Sequence, residues 1–407
     1  MKVGIIGAGP AGIMAALEAA QHGARVILFD ANPAVGRKLL VTGNGRCNIS
    51  NAHARPERYT CADPQFLTTA FKLYTHETTI ARLRELGVPT YATPDGWYYP
   101  LSDSAASVVE TLTAMLDLAG VDVQLRCKIV DIRRTAAGFA LTVGGPSHLC
   151  EVERLVVACG GKAYPALGST GELFPILERL GHTVIPIYPA LVPLTAHVTP
   201  FHKLQGVRLD VGLSLWRGGR KLAETTGNLM FTQDGFSGPA AMDLSHWVST
   251  RPGADLKLVI DLVALRRHEL LELIARWRRQ PVPLRAVLGA VMPAKIPPIV
   301  LSLAGLDPDA KLAGVSEKEL NRLLYLLSHL EAEVTGTRGF KFAQLSTGGV
   351  PVTEVDPRAM ASRLVPGLHF AGEVMDVIGP CGGFNLQWCW TSGALAGRGA
   401  ALSVPRA

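Results

Sequence analysis

The sequence predicts an α/β protein whose doubly wound, Rossmann-like parallel sheet is interrupted by an inserted unit. Three observations predict this class. Residues 3–30 follow the order strand, glycine turn, helix, strand. Two later apolar strands, at 155–159 and 368–371, also run into glycines. Between them, residues 189–340 change to alternating strands followed by helices, which predicts an insert within one discontinuous domain.

The first βαβ unit carries the spacing G-x-G-x-x-G at Gly7, Gly9 and Gly12, and its second strand ends in Asp30. Gly7 permits a tight turn, Gly9 lets the backbone approach a pyrophosphate, and Gly12 lets helix and strand pack closely. The helix N-terminus attracts phosphates, and Asp30 can accept a hydrogen bond from a ribose hydroxyl. An ordinary βαβ turn can use the same glycines, but the acid and both strands together favour dinucleotide binding.

Size and composition predict a soluble chain of two to three domains at ~150 residues per domain. No run among the 407 residues approaches the ~20 apolar residues of a membrane helix. The first apolar run resembles a signal peptide, but its glycines and second strand argue against one, so we expect a cytoplasmic protein. Seven cysteines form no C-x-x-C pair, which predicts reduced thiols and no metal site. The net charge of +6 favours anionic partners such as phosphorylated cofactors or nucleic acid.

A long polar loop with three cations directly follows the first βαβ unit. Its cations, Arg37, Lys38 and Arg46, can meet phosphates. Gly43 and Gly45 let backbone N–H groups face a ring system. A loop of this length is uncommon without a function, although a solvated loop is the alternative.

Elsewhere in the flanking parts, the apolar spacing predicts one helix over 64–86 and a second helix that Ser104 caps and that runs to about Ala119. Short alternating segments over 121–152 predict a small antiparallel meander.

Residues 189–340 consist of strands first and helices second. Strict alternation over 207–215 predicts a half-buried strand, and Ser316 with Glu319 predicts a capping box at the start of a helix. The most basic part is a cluster of five arginines: Arg266, Arg267, Arg276, Arg278 and Arg279. The cluster is either a solvated helix face or a surface for an anionic substrate.

The last part of the chain returns to ligand-binding patterns. An apolar strand ends in Gly372 and Glu373, and a glycine-rich loop opens a helix at Gly383. The chain therefore carries nucleotide-site chemistry at both ends. We divide it into a nucleotide-binding domain, 1–188 plus 341–407, and the insert between them.

Taken together, these motifs resemble the BaiN/RdsA family of flavoproteins, also called the YhiN/BaiN type. The segments that carry the resemblance follow the family order over nearly the whole chain: GAGPAG at 7–12, GRKLLVTGNGRCNISN at 36–51, VVACGG at 156–161, GSTG at 168–171, GNLMFTQDGFSGPA at 227–240, AQLSTGGV at 343–350 and FAGEVMDVIGPCGGFNLQ at 370–387. The sequence departs from the family pattern at Trp97-Tyr98-Tyr99-Pro100, where Arg-Val-Phe-Pro is expected, at Ala359-Met360, where Thr-Met is usual, and at Phe384, where Tyr is common.

The resemblance implies FAD at the first site and a FAD-binding domain interrupted by an insert with a small β-barrel and a helical subdomain. It implies that both ends of the chain contact one FAD, with Ile129 near the adenine, Glu373 near the ribityl chain or pyrophosphate, and the start of the last helix beside the isoalloxazine. The cofactor-binding residues that the motifs carry over are Gly7, Gly9, Pro10, Ala11, Gly12, Asp30, Arg37, Lys38, Thr42, Gly43, Asn44, Gly45, Arg46, Asn48, Ile129, Gly160, Gly161, Gly372, Glu373, Gly383, Phe384, Asn385 and Leu386.

The implied activity is that of an FAD-dependent oxidoreductase, reduced by NAD(P)H, that passes a hydride to an electron-poor double bond. One branch of the family resembles ribosomal RNA dihydrouridine synthases, and the net charge favours that branch here. Reduction or oxidation of a small enone or amine is one alternative, and a flavin-bearing protein without turnover is another. Cys381 and Cys47 are the candidate proton donors, and the alternative for each is a small packing residue. No obligate protein partner and no membrane contact is expected.

Overall fold

The structure is a computed structural model that describes residues 1–144, 148–251, 253 and 255–402, without the side chain of His148. Residues 145–147, in the predicted meander, lie outside the described residues. The chain divides into two compact units. Unit 1 comprises Met1–Tyr188 and Leu345–Ala407, and unit 2 comprises Pro189–Gln344.

The strands are, in chain order, β1 Lys2–Ile6, β2 Arg25–Asp30, β3 Ser50–Asn51, β4 Thr90–Ala92, β5 Trp97–Pro100, β6 Asp122–Leu125, β7 Ile129–Thr135, β8 Gly138–Val143, β9 His148–Val152, β10 Arg154–Val157, β11 Ile185–Ala190, β12 Leu194–Ala196, β13 Arg208–Arg217, β14 Arg220–Phe231, β15 Gly235–Ser237, β16 Leu256–Asp261, β17 Leu330–Thr337, β18 Leu345–Gly349, β19 Val355–Asp356, β20 Ala361–Ser362 and β21 Leu368–Phe370. The α-helices are α1 Pro10–Gln21, α2 Pro64–Leu73, α3 His76–Glu85, α4 Ala105–Leu118, α5 Phe174–Arg179, α6 Pro239–Asp243, α7 Ser245–Ser249, α8 Arg267–Trp277, α9 Leu284–Gly289, α10 Ile296–Leu303, α11 Glu317–Ser328 and α12 Phe384–Leu402.

Unit 1 is built on a seven-stranded sheet in the order β19-β20-β21-β10-β1-β2-β6. The five strands from β21 to β6 run parallel, and β19 and β20 are antiparallel to their neighbours. The central strands β1 and β10 are almost wholly buried, as expected for parallel strands covered on both faces. The predicted Rossmann-like α/β class is therefore confirmed.

Helix α12 packs against α1 through glycines. A Cβ atom at Gly393 would overlap the carbonyl oxygen of Ala11, and one at Gly397 would overlap that of Ala15. The backbones of the two helices therefore touch without intervening side chains. This contact holds the C-terminal segment of the chain against the first βαβ unit.

A buried carboxylate ties three helices of unit 1 together. Glu18 of α1 is 1% exposed, and its oxygens accept hydrogen bonds from Arg82 Nε of α3 at 2.8 Å and Arg398 Nε of α12 at 2.7 Å. A buried charge is tolerated only when it is paired and hydrogen-bonded, and both carboxylate oxygens meet that condition here.

Two elements of unit 1 differ from the sequence expectations. The helix expected over 64–86 is two helices, α2 and α3. Tyr74 leaves helical geometry, and the Thr75 hydroxyl accepts the N–H of Thr78 to cap a new helix. The first strand of the expected meander, β6, instead pairs parallel with β2 at the edge of the large sheet. A strand that follows a helical crossover from β2 satisfies the same apolar pattern in either place.

Unit 2 holds a closed barrel in the strand order β12-β15-β14-β13-β16-β17, followed by helices, so the implied β-barrel is confirmed. Leu209, Val211 and Leu213 of β13 are buried and alternate with more exposed residues, as the sequence pattern predicted. The capping box also forms, because Ser316 N donates to a Glu319 carboxylate oxygen at 2.9 Å and Ser316 Oγ accepts from Glu319 N. Among the described residues, no helix has both the length and the apolar character that crossing a membrane requires.

The α1–α12 contact predicts an asymmetric effect of two glycine substitutions. Gly393→Ala should lower the free energy of unfolding of unit 1 by ~1–3 kcal/mol, because its Cβ forces the two helices apart. Gly289→Ala, whose Cβ would meet no atom within 4 Å at the end of α9, is the matched control and should be neutral or slightly stabilising. Scanning calorimetry measures both; equal melting temperatures would contradict the packing account.

A buried histidine predicts a pH dependence of stability. His369 of β21 is 1% exposed, its Nδ1 lies 2.9 Å from the Ala359 carbonyl oxygen, and burial lowers its pKa to about 4. Since the folded-state pKa lies below the value of ~6.5 in the unfolded chain, the unfolded state binds the extra proton. Stability should therefore fall by up to ~1.4 kcal/mol per pH unit from this residue as the pH drops from 6.5 toward 4. His369→Asn, which does not titrate, should flatten the curve measured by urea denaturation; an unchanged slope would refute the assignment.

Candidate cofactor-binding site

The parallel sheet brings the predicted segments to one edge. The register pairs Ile6 of β1 with Phe29 of β2 and with Val157 of β10, and Val157 pairs with Phe370 of β21. The carboxyl ends of these four strands are therefore aligned. The glycine turn, Asp30, the Gly160 segment and the Gly372 segment all follow at this edge, which is where open α/β sheets bind ligands.

The three glycines of the first turn have different surroundings. A Cβ at Gly7, whose φ is 105°, would overlap Ala158, and a Cβ at Gly12 would overlap the Gly7 carbonyl oxygen. A Cβ at Gly9 would meet no atom within 4 Å. Gly7 and Gly12 thus serve the packing of the turn, whereas the backbone at Gly9 borders open space. Helix α1 begins there without a side-chain cap and with Pro10 in its first turn. The N–H groups of Ala11 and Gly12 are consequently available to an anion.

Asp30 is held at the end of β2 by three hydrogen bonds. Its Oδ2 accepts from Ala8 N at 2.7 Å, and its Oδ1 accepts from the backbone and side-chain nitrogens of Asn32 at 2.7 and 2.9 Å. Asn32 in turn accepts from Arg37 Nη1 at 2.5 Å. The carboxylate and the guanidinium are thereby oriented next to the glycine turn. Ile129, at the start of β7, follows Cys127, whose N–H donates to the Asp30 carbonyl oxygen at 2.9 Å.

An ion pair joins the two ends of the chain. Lys38 Nζ lies 2.7 Å from Glu373 Oε2, with the Glu373 side chain 9% exposed. The other Glu373 oxygen accepts from Ser346 N and Ser346 Oγ, each at 2.9 Å. A Cβ at Gly161 would overlap Ser346 Oγ, and one at Gly372 would stand 2.9 Å from the Ala11 Cβ. The N-terminal cation loop, the glycine turn and the Gly-Glu segment therefore form one cluster.

The loop after Lys38 has an irregular backbone. Gly43, Asn44 and Gly45 have positive φ angles within a segment Leu39–Gly45 that also holds Thr42 in an extended conformation, and Cys47, two residues beyond it, has a positive φ angle as well. A Cβ at Gly45 would meet no atom within 4 Å, so the backbone here also borders open space. Open backbone at Gly45 lets an anion or the edge of a polar ring approach the main chain.

The two candidate proton donors lie in different surroundings. Cys47 is wholly buried, and burial raises the pKa of its thiol to about 11. The Cys47 thiol therefore keeps its proton at neutral pH. Cys381 is half-buried in the loop that precedes α12.

Arg46 makes contacts outside the ion-pair cluster. Its guanidinium donates to Asp103 at 2.8 Å and to the Tyr91 hydroxyl at 2.7 Å, and it stacks over the Tyr99 ring at 4.2 Å. These contacts raise the pKa of Arg46 and lower the pKa of Asp103, mainly through their mutual hydrogen bond. The sequence did not indicate this pairing, because Asp103 lies 57 residues further along the chain.

The start of α12 is fixed by side chains from both ends of the chain. A Cβ at Gly383 would overlap the Ser50 carbonyl oxygen. In the amide orientation that satisfies both groups, Asn48 donates to the same carbonyl oxygen at 3.1 Å and accepts from the Gly383 N–H at 3.3 Å. Asn385 closes the preceding loop, since its amide donates to Gly379 O and accepts from Gly379 N, both at 2.8 Å. Phe384 is buried and Leu386 is half-buried at this helix start.

Sequence reasoning missed several residues that hold the site in place. Buried Gln387 accepts from Ser50 Oγ at 2.6 Å and donates to Thr79 at 2.7 Å, and Asp376 accepts from Gly348 N at 2.7 Å. The Trp97 ring would stand 2.9 Å from a Cβ at Gly382, so it covers that glycine. For the contact between Trp97 and Gly382, the available signal in the sequence was a pair of glycines together with an aromatic strand. Nothing local in the sequence indicated the hydrogen bonds of Gln387 and Asp376.

The match that identifies the family extends over almost the whole chain. Residues 1–399 match the family described as HI0933-like protein Rossmann domain. The chain belongs to the HI0933-like family. The relatives of this HI0933-like chain include a 3-dehydro-bile acid delta(4,6)-reductase of Clostridium scindens, 33% identical over 98% of this chain and 99% of the relative. They also include a ribosomal RNA dihydrouridine synthase of Escherichia coli, 32% identical over 95% of each.

Solved structures share the fold of the HI0933-like chain. A 3-ketosteroid-delta4-(5alpha)-dehydrogenase of Rhodococcus jostii aligns over 98% of this chain and 96% of its own, with a TM-score of 0.50 and 17% identity. A flavocytochrome c3 fumarate reductase aligns over 98% of this chain and 78% of its own, with a TM-score of 0.51 and 16% identity.

The residues at the sheet edge fit FAD. Open backbone at Gly9 and Gly45, an uncapped helix start and an oriented Asp30 supply what a pyrophosphate and a ribose require. With the family and its relatives, this identifies the HI0933-like chain as an FAD-dependent oxidoreductase.

The ion pair at the site predicts a non-additive pattern of stability. Lys38→Met should lower the free energy of unfolding of unit 1 by ~2–3 kcal/mol, because it leaves Glu373 charged and poorly solvated. Glu373→Gln combined with Lys38→Met should recover part of that loss, since no unpaired carboxylate remains. Thermal unfolding of the cofactor-free wild type, of each single variant and of the double variant gives the coupling energy; strictly additive losses would contradict a functioning ion pair.

Proposed function

We propose that the protein uses bound FAD and NAD(P)H to reduce a carbon–carbon double bond conjugated to a carbonyl group. The observation that carries this proposal is the single cluster in which the glycine turn, Lys38 and Glu373 meet at the sheet edge. FAD supplies hydride transfer when it is bound. The activities of the two named relatives, bile acid delta(4,6) reduction and ribosomal RNA dihydrouridine synthesis, support this class of reaction.

The side chains divide the work of holding the cofactor. The N–H groups at the start of α1 and the cations Arg37 and Lys38 would hold the pyrophosphate, and Asp30 would orient the ribose. Glu373 would orient the ribityl chain through its remaining acceptor capacity. The N-terminus of α12 at Gly383 would place a partial positive charge beside the isoalloxazine, where it favours negative charge. The other predicted cofactor residues, from Thr42 to Asn48, would line the ring.

A conjugate reduction also needs a proton donor. We assign this role to Cys381, because it is half-buried beside the start of α12, where a proton can be exchanged with solvent. Cys47 keeps its proton at neutral pH but is wholly buried, so it is the second choice. The donor's proton goes to the carbon next to the carbonyl group, after the hydride has reached the β-carbon.

A ribosomal RNA uridine is the proposed substrate. Its C5=C6 bond is conjugated to the C4 carbonyl, and the net charge of +6 suits a polyanionic partner in the cytoplasm. A steroid-like enone is the second candidate, which the bile acid reductase among the relatives favours.

Nucleoside mass spectrometry separates these substrates. Ribosomal RNA from a strain lacking the gene should lose a dihydrouridine that the gene restores, and the purified protein should be yellow and form dihydrouridine with NADPH or NADH. A Cys381→Ser variant should reduce substrate ~100-fold more slowly with its FAD content unchanged. Cys150→Ser, a half-buried cysteine of β9, is the matched control and should be fully active.

Three results would count against the proposal. A protein that stays colourless after addition of FAD removes the cofactor assignment. An unchanged dihydrouridine level, together with NADPH-dependent reduction of a steroid enone, replaces the RNA substrate with the second candidate. Full activity of Cys381→Ser removes that residue as the proton donor.

A further inference from the structure

The net charge of the protein is concentrated in unit 2. Residues 189–344 contain 19 Lys and Arg against 14 Asp and Glu, a net charge of +5. The rest of the chain contains 21 Lys and Arg against 20 Asp and Glu, a net charge of +1. If a polyanion binds this protein through its charge, the excess lies on unit 2.

The five arginines in and next to α8 are less available to an anionic ligand than the sequence indicates, because some of them are already paired. Arg278 donates to the carbonyl oxygens of Leu312 and Val315, each at 2.7 Å, and lies 3.0 Å from Glu317. Arg267 lies 2.6 Å from Asp261. These arginines therefore stabilise unit 2 internally, and part of their charge is neutralised.

A second basic segment of unit 2 has exposed cations beside an exposed ring. It begins at the last residue of β17 and reads TRGFKF over 337–342. The Arg338 guanidinium lies 3.9 Å from the centre of the Phe342 ring, and Lys341 Nζ lies 5.8 Å from it. All three residues are exposed, and Phe342 retains 38% of its surface. Within the described part of the chain, neither cation has a carboxylate within ion-pair distance.

The backbone of this segment is anchored but open. Arg338 N donates to Pro193 O at 3.0 Å, which fixes the start of the segment within unit 2. A Cβ at Gly339 would meet no atom within 4 Å, so a ligand can approach the main chain between the cations. The segment thus presents a stacked guanidinium, an ammonium group and free backbone space in a fixed arrangement.

We propose that residues 337–342 form a contact site for single-stranded RNA. This proposal rests on the proposed ribosomal RNA substrate. The Arg338 and Lys341 side chains bind phosphates, and the Phe342–Arg338 stack receives a base. Cations interleaved with an aromatic ring are the arrangement that binds a nucleic-acid strand without reading its sequence. Charge complementarity selects RNA as the occupant, because the segment contains two cations and no acid.

Fluorescence anisotropy with a labelled 20-nucleotide oligouridylate tests the site in the full-length, FAD-loaded protein. The variant Arg338→Ala/Lys341→Ala should bind at least ~10-fold more weakly at 50 mM salt, with the slope of log affinity against log salt reduced by ~1.4, since two phosphate contacts are lost. Phe342→Leu should weaken binding ~5-fold or more without changing the slope, because it removes only the stack.

A matched control separates these effects from a general loss of charge. Lys318→Ala/Arg322→Ala removes two exposed cations from α11 of the same unit and should change affinity less than 2-fold. Melting temperature and FAD content should be unchanged in every variant.

The outcomes distinguish this proposal from the proposed function. If the wild-type protein forms dihydrouridine and binds the oligouridylate, but the 338/341 variant behaves like the α11 control, the contact site is overturned and the proposed function stands. If the wild-type protein neither binds the oligouridylate nor forms dihydrouridine, both are overturned. A selective loss in the 338/341 variant supports the contact site.

Discussion

The direct backbone contact between α1 and α12 is the constraint on which the candidate cofactor site depends. Because Gly393 and Gly397 carry no side chain, the last helix lies against the first, and Gly372 comes next to Ala11. Only then can Lys38 pair with Glu373, 335 positions further along the chain. The site is thus made of two halves that neither end of the chain could form alone.

Satisfied charges give this edge of the sheet its fixed geometry. Asp30, Glu373 and Asp376 each accept hydrogen bonds from backbone N–H groups, and Glu373 also has a cation. Carboxylates held in this way are oriented before a ligand arrives, so little reorganisation is needed on binding. By composition, unit 1 has almost no net charge, and the excess positive charge of the protein lies on unit 2.

Local sequence patterns predicted those structural elements that depend only on residues close together in the sequence. The glycine turn, the alternating strand β13 and the capping box at Ser316 depend on neighbouring residues, and the structure has each of them. The break between α2 and α3 was missed because an apolar face continues through Tyr74 while a cap at Thr75 restarts the helix. The place of β6 was wrong because strand pairing is decided by distant partners.

By itself, the sequence determined the fold class, the glycine turn typical of dinucleotide binding and the family, because these follow from spacing over short stretches and from motifs in a fixed order. The tertiary structure determined which charged side chains form ion pairs and which remain exposed. It placed Lys38 on Glu373, Arg46 on Asp103 and Arg278 within unit 2, and it left Arg338 and Lys341 exposed. The physical reason is that ion pairing depends on separations of a few ångströms in space, which sequence distance does not encode.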